Sequence, residues 1–260
     1  MEDLRKYGDK PFRVAVIHGG PGAPGEMAPV VRELSTYVGV LEPLQTATTI
    51  AGQVEELKAV LERAGDIPVT LIGFSWGAWL IFIFAAKHPA LVKKLILVAS
   101  GPFEEKYAVD IMKTRLGRLN DEERKEVSSL MEILDAPSIG DKNAPMVRLG
   151  ELMSKADSFD SLPHDNEVLE CRYDIYQMVW QEARKLRSNG QLLKLGERIR
   201  CPVVAIHGDY DPHVYEGVKE PLSHLLKDFR FILLEQCGHY PWFERNARDK
   251  FYSFLKGEVS

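Results

Sequence analysis

The chain has 260 residues, 45% of them hydrophobic and 27% charged, a size and balance that suit one large buried core, or a core with an inserted lid. Its 33 basic and 38 acidic residues are spread along the sequence and leave a formal charge of −5, so composition offers no electrostatic footprint for nucleic acid or an anionic membrane. Three cysteines, Cys171, Cys201 and Cys237, are odd in number and widely spaced with no C-x-x-C pair, which argues against a disulfide framework and against a zinc site.

The N-terminus, MEDLRKYGDK, lacks the apolar core of a signal peptide, and a cytoplasmic location is expected. Pro11 to Ile17 is the first predicted strand and ends at His18-Gly19-Gly20-Pro21-Gly22. No Lys and Ser/Thr follow, as a phosphate-binding loop would require. The loop therefore reads either as an oxyanion hole, in which bare backbone N–H groups approach a reacting carbonyl, or as a tight turn into a helix from Gly25 to Tyr37. Val38 to Glu42 is a second strand, and Thr48-Thr49 precede a helix with Ile50, Val54, Leu57 and Leu61 at core spacing.

Ile67 to Ile72 is the third strand. It runs into Gly73-Phe74-Ser75-Trp76-Gly77 and then an apolar segment long enough for a buried helix, although Leu80 to Ala86 is too short to span a bilayer. G-x-S-x-G is weak as a bare pattern. Between a strand and a helix it describes a nucleophile elbow, with glycines where any Cβ would strike the neighbouring strand or helix. Lys94 to Ala99 is a fourth, almost wholly apolar strand. Such strands, separated by amphipathic helices, indicate a mostly parallel sheet covered on both faces.

From Phe103 to about Arg198 there is no β-rich run, only charged helical stretches broken at Pro137, Gly140, Pro145 and Pro163. The boundaries expected are a core of residues 1–101 and 199–260 and a helical cap of residues 102–198. The cap's clearest helix is predicted from about Asp165 to Arg187, with Leu169, Tyr173, Tyr176, Trp180 and Ala183 on one stripe that could pack and also roof a pocket. Pro202 to Ile206 is the fifth strand, followed by His207-Gly208-Asp209-Tyr210-Asp211. A helix from Tyr215 to Leu226 leads to the sixth strand, Phe229 to Leu234, then Cys237-Gly238-His239-Tyr240-Pro241-Trp242 and a closing helix. Cys237 beside His239 invites a cysteine-nucleophile reading, for which a small buried thiol is the commoner explanation.

Four features thus fall at strand carboxyl ends, the edge where open α/β sheets bind ligands: the glycine loop, Ser75, Asp211 and His239. Acyl transfer needs these parts, namely a nucleophile, a base, an acid to orient the base and fixed N–H groups. The order Ser, Asp, His is that of α/β-hydrolases. GFSWG, GDYDP and CGHYPWFE resemble the three triad motifs of that superfamily, and HGGPG with Trp directly after the serine resembles its prolyl aminopeptidase branch. The resemblance implies an α/β-hydrolase fold with an inserted helical cap, Ser75 as nucleophile, His239 as base and Asp211 as the acid, which Asp209 contests. It places the oxyanion on the backbone N–H of Gly20 and Trp76. His18 would brace the oxyanion loop, and His18, Tyr176, Trp180 and Trp242 are candidate pocket residues.

Prolyl aminopeptidases carry a D-Q-R-G type motif after the second of these strands, where this chain has Glu42-Pro43-Leu44-Gln45-Thr46, and little room remains for edge strands before Pro11. The function expected is a serine hydrolase, independent of cofactor and metal, acting on a small carboxylic ester or related acyl compound. The alternatives are an aminopeptidase-like amide hydrolase, with Glu167, Glu170 or Asp174 holding the substrate ammonium, and a non-catalytic binder on the same fold. The partner expected is a small-molecule substrate, with no nucleic acid and no membrane, and a cap-mediated homodimer is open.

Overall fold

Seven runs rich in branched and apolar residues form one sheet in the computed structural model, which describes residues 3–136, 140–165 and 167–259. The strands are β1 (Leu4–Tyr7), β2 (Phe12–Ile17), β3 (Gly39–Pro43), β4 (Val69–Phe74), β5 (Val92–Val98), β6 (Val203–Gly208) and β7 (Phe229–Leu234), in the order β1-β3-β2-β4-β5-β6-β7. All pair in parallel except β1, which runs antiparallel to β3 with Tyr7 opposite Val40. This is the mostly parallel sheet covered on both faces that the strand and helix rhythm predicts.

The short N-terminus does hold an edge strand, contrary to the expectation before Pro11. Four residues suffice because their side chains are anchored as well as their backbone. Arg5 Nε donates to Glu42 Oε2 at 2.8 Å, and Leu44 N–H donates to the Asp3 carbonyl at 3.0 Å.

The register lines up the carboxyl ends of the parallel strands: Ile17 pairs with Gly73, Phe74 with Val98, Val98 with Ile206, and Gly208 with Leu234. The strand order reverses at β2 and β4, so their following loops diverge and open a crevice. On one face α1 (Ala28–Leu34) and α10 (Arg248–Val259) bury Val31, Leu34, Phe251 and Leu255 against Val16, Ile72 and Ile96. On the other, α2 (Ile50–Ala64) and α3 (Trp76–Lys87) bury Val54, Leu57, Leu80 and Phe84 against Leu71 and Leu95. Thr49 caps α2, its Oγ1 accepting the Gly52 N–H at 3.1 Å. Every residue of α3 from Trp76 to Ala86 is buried, as an all-apolar helix requires. Among the described residues no helix is long and apolar enough to cross a membrane.

Between β5 and β6 the chain forms α4 (Ile111–Gly117), α5 (Asp121–Asp135), α6 (Asn143–Asp157), α7 (Tyr173–Ser188) and α8 (Gln191–Lys194), while α9 (Glu216–Leu225) precedes β7. Two expectations change here. Pro145 does not break a helix but sits in the first turn of α6, where its missing N–H has no acceptor to lose. The helix predicted from Asp165 begins only at Tyr173, because the strand-like stretch before it spends its N–H groups elsewhere: Leu169 on the Pro24 carbonyl and Arg172 on the Gly22 carbonyl, both at 2.8 Å. Leu169 is consequently exposed, and the buried stripe of α7 is Ile175, Val179 and Ala183. Pro137 and Asn166 lie outside the described residues.

The elbow glycines are spatially obligatory. A Cβ on Gly77 would lie 2.4 Å from the His18 carbonyl oxygen, and one on Gly73 2.3 Å from that of Gly77. Gly77→Ala should therefore destabilise the fold by about 2 kcal/mol or more, since rigid backbone has to move. A urea titration against the parent chain measures this, and a change below about 0.5 kcal/mol would contradict it.

Candidate active site

Ser75 occupies the turn between β4 and α3 with φ 50° and ψ −111°, a left-handed conformation costly for a residue with a Cβ. Its N–H donates to the Val98 carbonyl at 2.9 Å, which ties the turn to the next strand. Beside it the Trp76 side chain is fixed through Nε1 to Gln53 Oε1 at 3.1 Å. The backbone N–H groups of Trp76 and Gly20 have no acceptor among the described residues and remain available. Gly19, between His18 and Gly20, lies so close to Phe74 that a Cβ would fall 2.6 Å from its ring. His18 is fully buried, with Nδ1 at 2.8 Å from the Gly19 carbonyl, and burial lowers its pKa to about 4 against that bond. It is a neutral brace of the loop.

Asp211, after β6, and His239, after β7, meet with His239 Nδ1 2.6 Å from Asp211 Oδ2. Asp209 is exposed and instead accepts the Cys237 N–H at 3.1 Å, so of the two acids it is Asp211 that meets His239. The buried Asp211 carboxylate is saturated. Oδ1 accepts the N–H of His213 at 2.8 Å and stands 2.9 Å from its Nδ1, while His207 Nε2 lies 3.3 Å from Oδ2. Burial would raise the Asp211 pKa, but the three imidazoles hold it well below the ordinary carboxylate range. His213 goes the other way: burial lowers it to about 4 despite Asp211, leaving a neutral ring that donates through Nδ1.

His239 also depends on the cap. Its N–H donates to the Asp157 carbonyl at 2.8 Å, and its ring packs on Phe74 with centroids 4.8 Å apart. The fully buried Glu244 carboxylate accepts the N–H of Phe159, Asp160 and Gly238 at 2.8, 2.8 and 3.0 Å, stitching the end of α6 to the His239 loop. Burial pushes the Cys237 thiol up, and its Sγ points to the Gly238 carbonyl, which leaves no thiolate for a cysteine mechanism.

Of the candidate pocket residues, Tyr176 and Trp180 stack in line on Trp79, with Trp180 and Trp79 centroids 5.7 Å apart. Trp242 is buried edge-on to Phe74 and also packs on Phe251, so it belongs to the core beneath the elbow. Two of the three candidate acids are engaged elsewhere: Glu167 pairs with Arg32, and Asp174 with Arg172, on the outer surface. Surface hollows of about 400 and 350 Å³ are lined by neither Ser75, Asp211 nor His239. Among the described residues Asp211, His213 and His239 are the group whose donor atoms cluster, within 4.8 Å. Their contacts of 2.6 and 2.9 Å are shorter than the roughly 3.4 Å between ligands around a tetrahedral zinc ion and are those of hydrogen bonds.

Several site residues escaped the sequence reading. Glu26 accepts the Gly19 N–H at 3.1 Å and lies within electrostatic reach of His239. Its only signal is a carboxylate inside an otherwise apolar, glycine-rich segment. His213 was one histidine among several, marked only by standing two residues after Asp211. Glu244 closes the CGHYPWFE motif without its role being marked there, and Arg115 and Asp157 carry no local signal.

The α/β hydrolase fold family model matches residues 42–246, and the chain belongs to that family. The structure is similar to that of VinJ, with a TM-score of 0.67 at 17% identity over 99% of this chain and 95% of that one. It is also similar to Paleococcus ferrophilus monoacylglycerol lipase, with a TM-score of 0.64 at 14% identity over 98% and 97% of the two chains. A third is the 2-hydroxy-6-oxo-6-phenylhexa-2,4-dienoate hydrolase of Rhodococcus sp. strain RHA1, with a TM-score of 0.60 at 18% identity over 96% and 91%. No curated protein matches the sequence significantly.

Burial pushes the Glu26 carboxyl up to about 7 from 4.5, against the His239 charge and the Gly19 N–H. The folded chain then keeps a proton that the unfolded chain has already lost, so stability declines as pH rises from 4.5 through about 7. Glu26→Gln is neutral throughout and can still accept from Gly19. Its Tm advantage over the parent should grow from about pH 5 to about pH 8, and a pH-independent difference in scanning calorimetry would refute this.

Proposed function

We propose that the protein is a serine hydrolase that cleaves small carboxylic esters, or kindred acyl compounds, through an acyl-enzyme. The observation that carries this reading is the 2.6 Å contact between His239 Nδ1 and Asp211 Oδ2 at the strand edge where Ser75 is held on its elbow. Asp211 fixes the tautomer with Nδ1–H toward itself, which leaves Nε2 to take a proton.

Ser75 Oγ attacks the acyl carbon as its proton passes to His239 Nε2. The carbonyl oxygen becomes an oxyanion and accepts from the N–H groups of Gly20 and Trp76. On collapse, the carbon–oxygen bond to the leaving group breaks and that oxygen takes the proton from Nε2, leaving the acyl group on Ser75. Water then repeats the two steps, giving its proton to Nε2 and releasing the acid as Ser75 regains its hydrogen. The amide-hydrolase alternative draws no support from Glu167 and Asp174, which are spent in outer ion pairs. Neighbouring structures described as a monoacylglycerol lipase and a dienoate hydrolase fit a hydrolase reading.

The first experiment is a rate panel of p-nitrophenyl acetate, butyrate and octanoate against the p-nitroanilides of proline, alanine and leucine. Ester turnover should exceed anilide turnover, and Ser75→Ala should lose several orders of magnitude. Anilides cleaved faster than esters, or a mutant as active as the parent, would overturn the proposal.

The pH profile provides a second check. Burial would lower the His239 pKa, but the charge and hydrogen bond of Asp211 outweigh it and raise the value above 6.5. Only the neutral ring takes a proton, so kcat/KM should fall as pH drops, with its acid limb above pH 6.5. In Asp211→Asn the largest influence opposing burial is removed, and the Asp157 charge alone still acts against it. The limb should move to lower pH and kcat should fall about 10⁴-fold. An acid limb unmoved by the substitution would contradict the assignment.

A further inference from the structure

The cap brings one cation against the triad. Arg115, in α4, donates from Nε and Nη2 to the two oxygens of Asp157 at 2.7 and 2.6 Å. Asp157, the last residue of α6, is also the residue whose carbonyl accepts the His239 N–H at 2.8 Å. The Arg115 side chain retains only 17% exposure, and Asp157 is buried. The guanidinium charge acts on His239, His213, Asp211, Tyr240 and Tyr176, groups drawn from three separate parts of the chain around the triad.

A guanidinium has five N–H donors, and Asp157 takes two of them. One proton on Nη2 and both on Nη1 have no acceptor among the described residues. The Nη2 proton and one of the Nη1 protons form the end-on edge of the fork, which is planar and spaced to receive a carboxylate through two parallel hydrogen bonds. Stability does not account for this arrangement, because an ion pair buried in a cap gains little over well-packed apolar side chains of the same volume. Asp157 holds the guanidinium plane by one edge, and its own carbonyl holds the His239 N–H.

We infer that Arg115 recognises a carboxylate on the substrate, so that the preferred substrates are anionic acyl compounds such as half-esters of short dicarboxylic acids. This deepens the hydrolase reading above and rests on it. The neutral esters of the same length lack the group that would pair with the open edge of the fork.

The test compares matched esters: p-nitrophenyl hydrogen adipate and pimelate against the hexanoate and heptanoate, and 4-acetoxybenzoate against phenyl acetate, which places the carboxylate on either side of the scissile bond. Ser75→Ala serves as the blank. In the parent, kcat/KM for at least one anionic ester should exceed that of its neutral match by about tenfold or more, as a charge-assisted pair predicts. In Arg115→Met that ratio should collapse toward one, with Arg115→Lys between the two. The ratio is insensitive to how much protein folds. A merely structural role would lower both rates and leave the ratio unchanged, and that result, or a parent that prefers neutral esters, would overturn the inference.

If no ester is turned over, the hydrolase reading fails, and binding still decides the role of Arg115. Calorimetric titration of Ser75→Ala with adipate should then give a heat that disappears when Arg115→Met is added. Absence of adipate binding to Ser75→Ala would overturn the inference.

Discussion

The backbone of Ser75 is the constraint around which the rest is arranged. A non-glycine residue at φ 50° persists only where its neighbours leave it no alternative. Here the Ser75 N–H is bound to Val98, while Gly73 and Gly77 let β4, α3 and β2 close to within backbone contact around the turn. The parallel register then carries the ends of β2, β6 and β7 to the same edge. A hydroxyl on a strained turn, an N–H pair without acceptors among the described residues and a histidine bound to a carboxylate arrive there from segments more than two hundred residues apart.

Asp211 shows how the fold handles a buried charge. Three imidazoles surround the carboxylate; burial holds His213 and His207 toward their neutral forms, His213 facing Asp211 through Nδ1 while His207 Nε2 donates to the His213 carbonyl at 2.7 Å. The electrostatic support is thereby concentrated on His239, the ring whose pKa rises. Glu244 follows the same logic without any ring, its two oxygens accepting three backbone N–H groups.

Much of this was legible in the sequence. The elbow, the HGGPG loop and the segments bearing Asp211 and His239 are contiguous motifs attached to apolar strands, and strand counting alone brings them to one edge. The parts that were not legible depend on contacts between distant segments. Asp209 and Asp211 are equivalent on paper and separate only because the chain turns Asp209 outward to the Cys237 N–H. The helix start near Asp165 failed because helical propensity cannot reveal that the N–H groups of Leu169 and Arg172 bond to the glycine loop. Arg115 and Asp157 are 42 residues apart on different helices, and no periodicity links them. The edge strand β1 was missed because four residues with two charges resemble a tail until Glu42 is seen to anchor Arg5.

The segment between β5 and β6 is tied to the core at two places. On the side of the base, Glu244 clamps Phe159, Asp160 and Gly238 together, and Leu162 and Arg245 add backbone bonds to Phe243 and Asp160. At the glycine loop, Arg172 and Leu169 donate backbone bonds to Gly22 and Pro24, and Glu167 pairs with Arg32. The inserted segment thus bonds directly to both the His239 loop and the glycine loop, so a change within it reaches two strand ends at once.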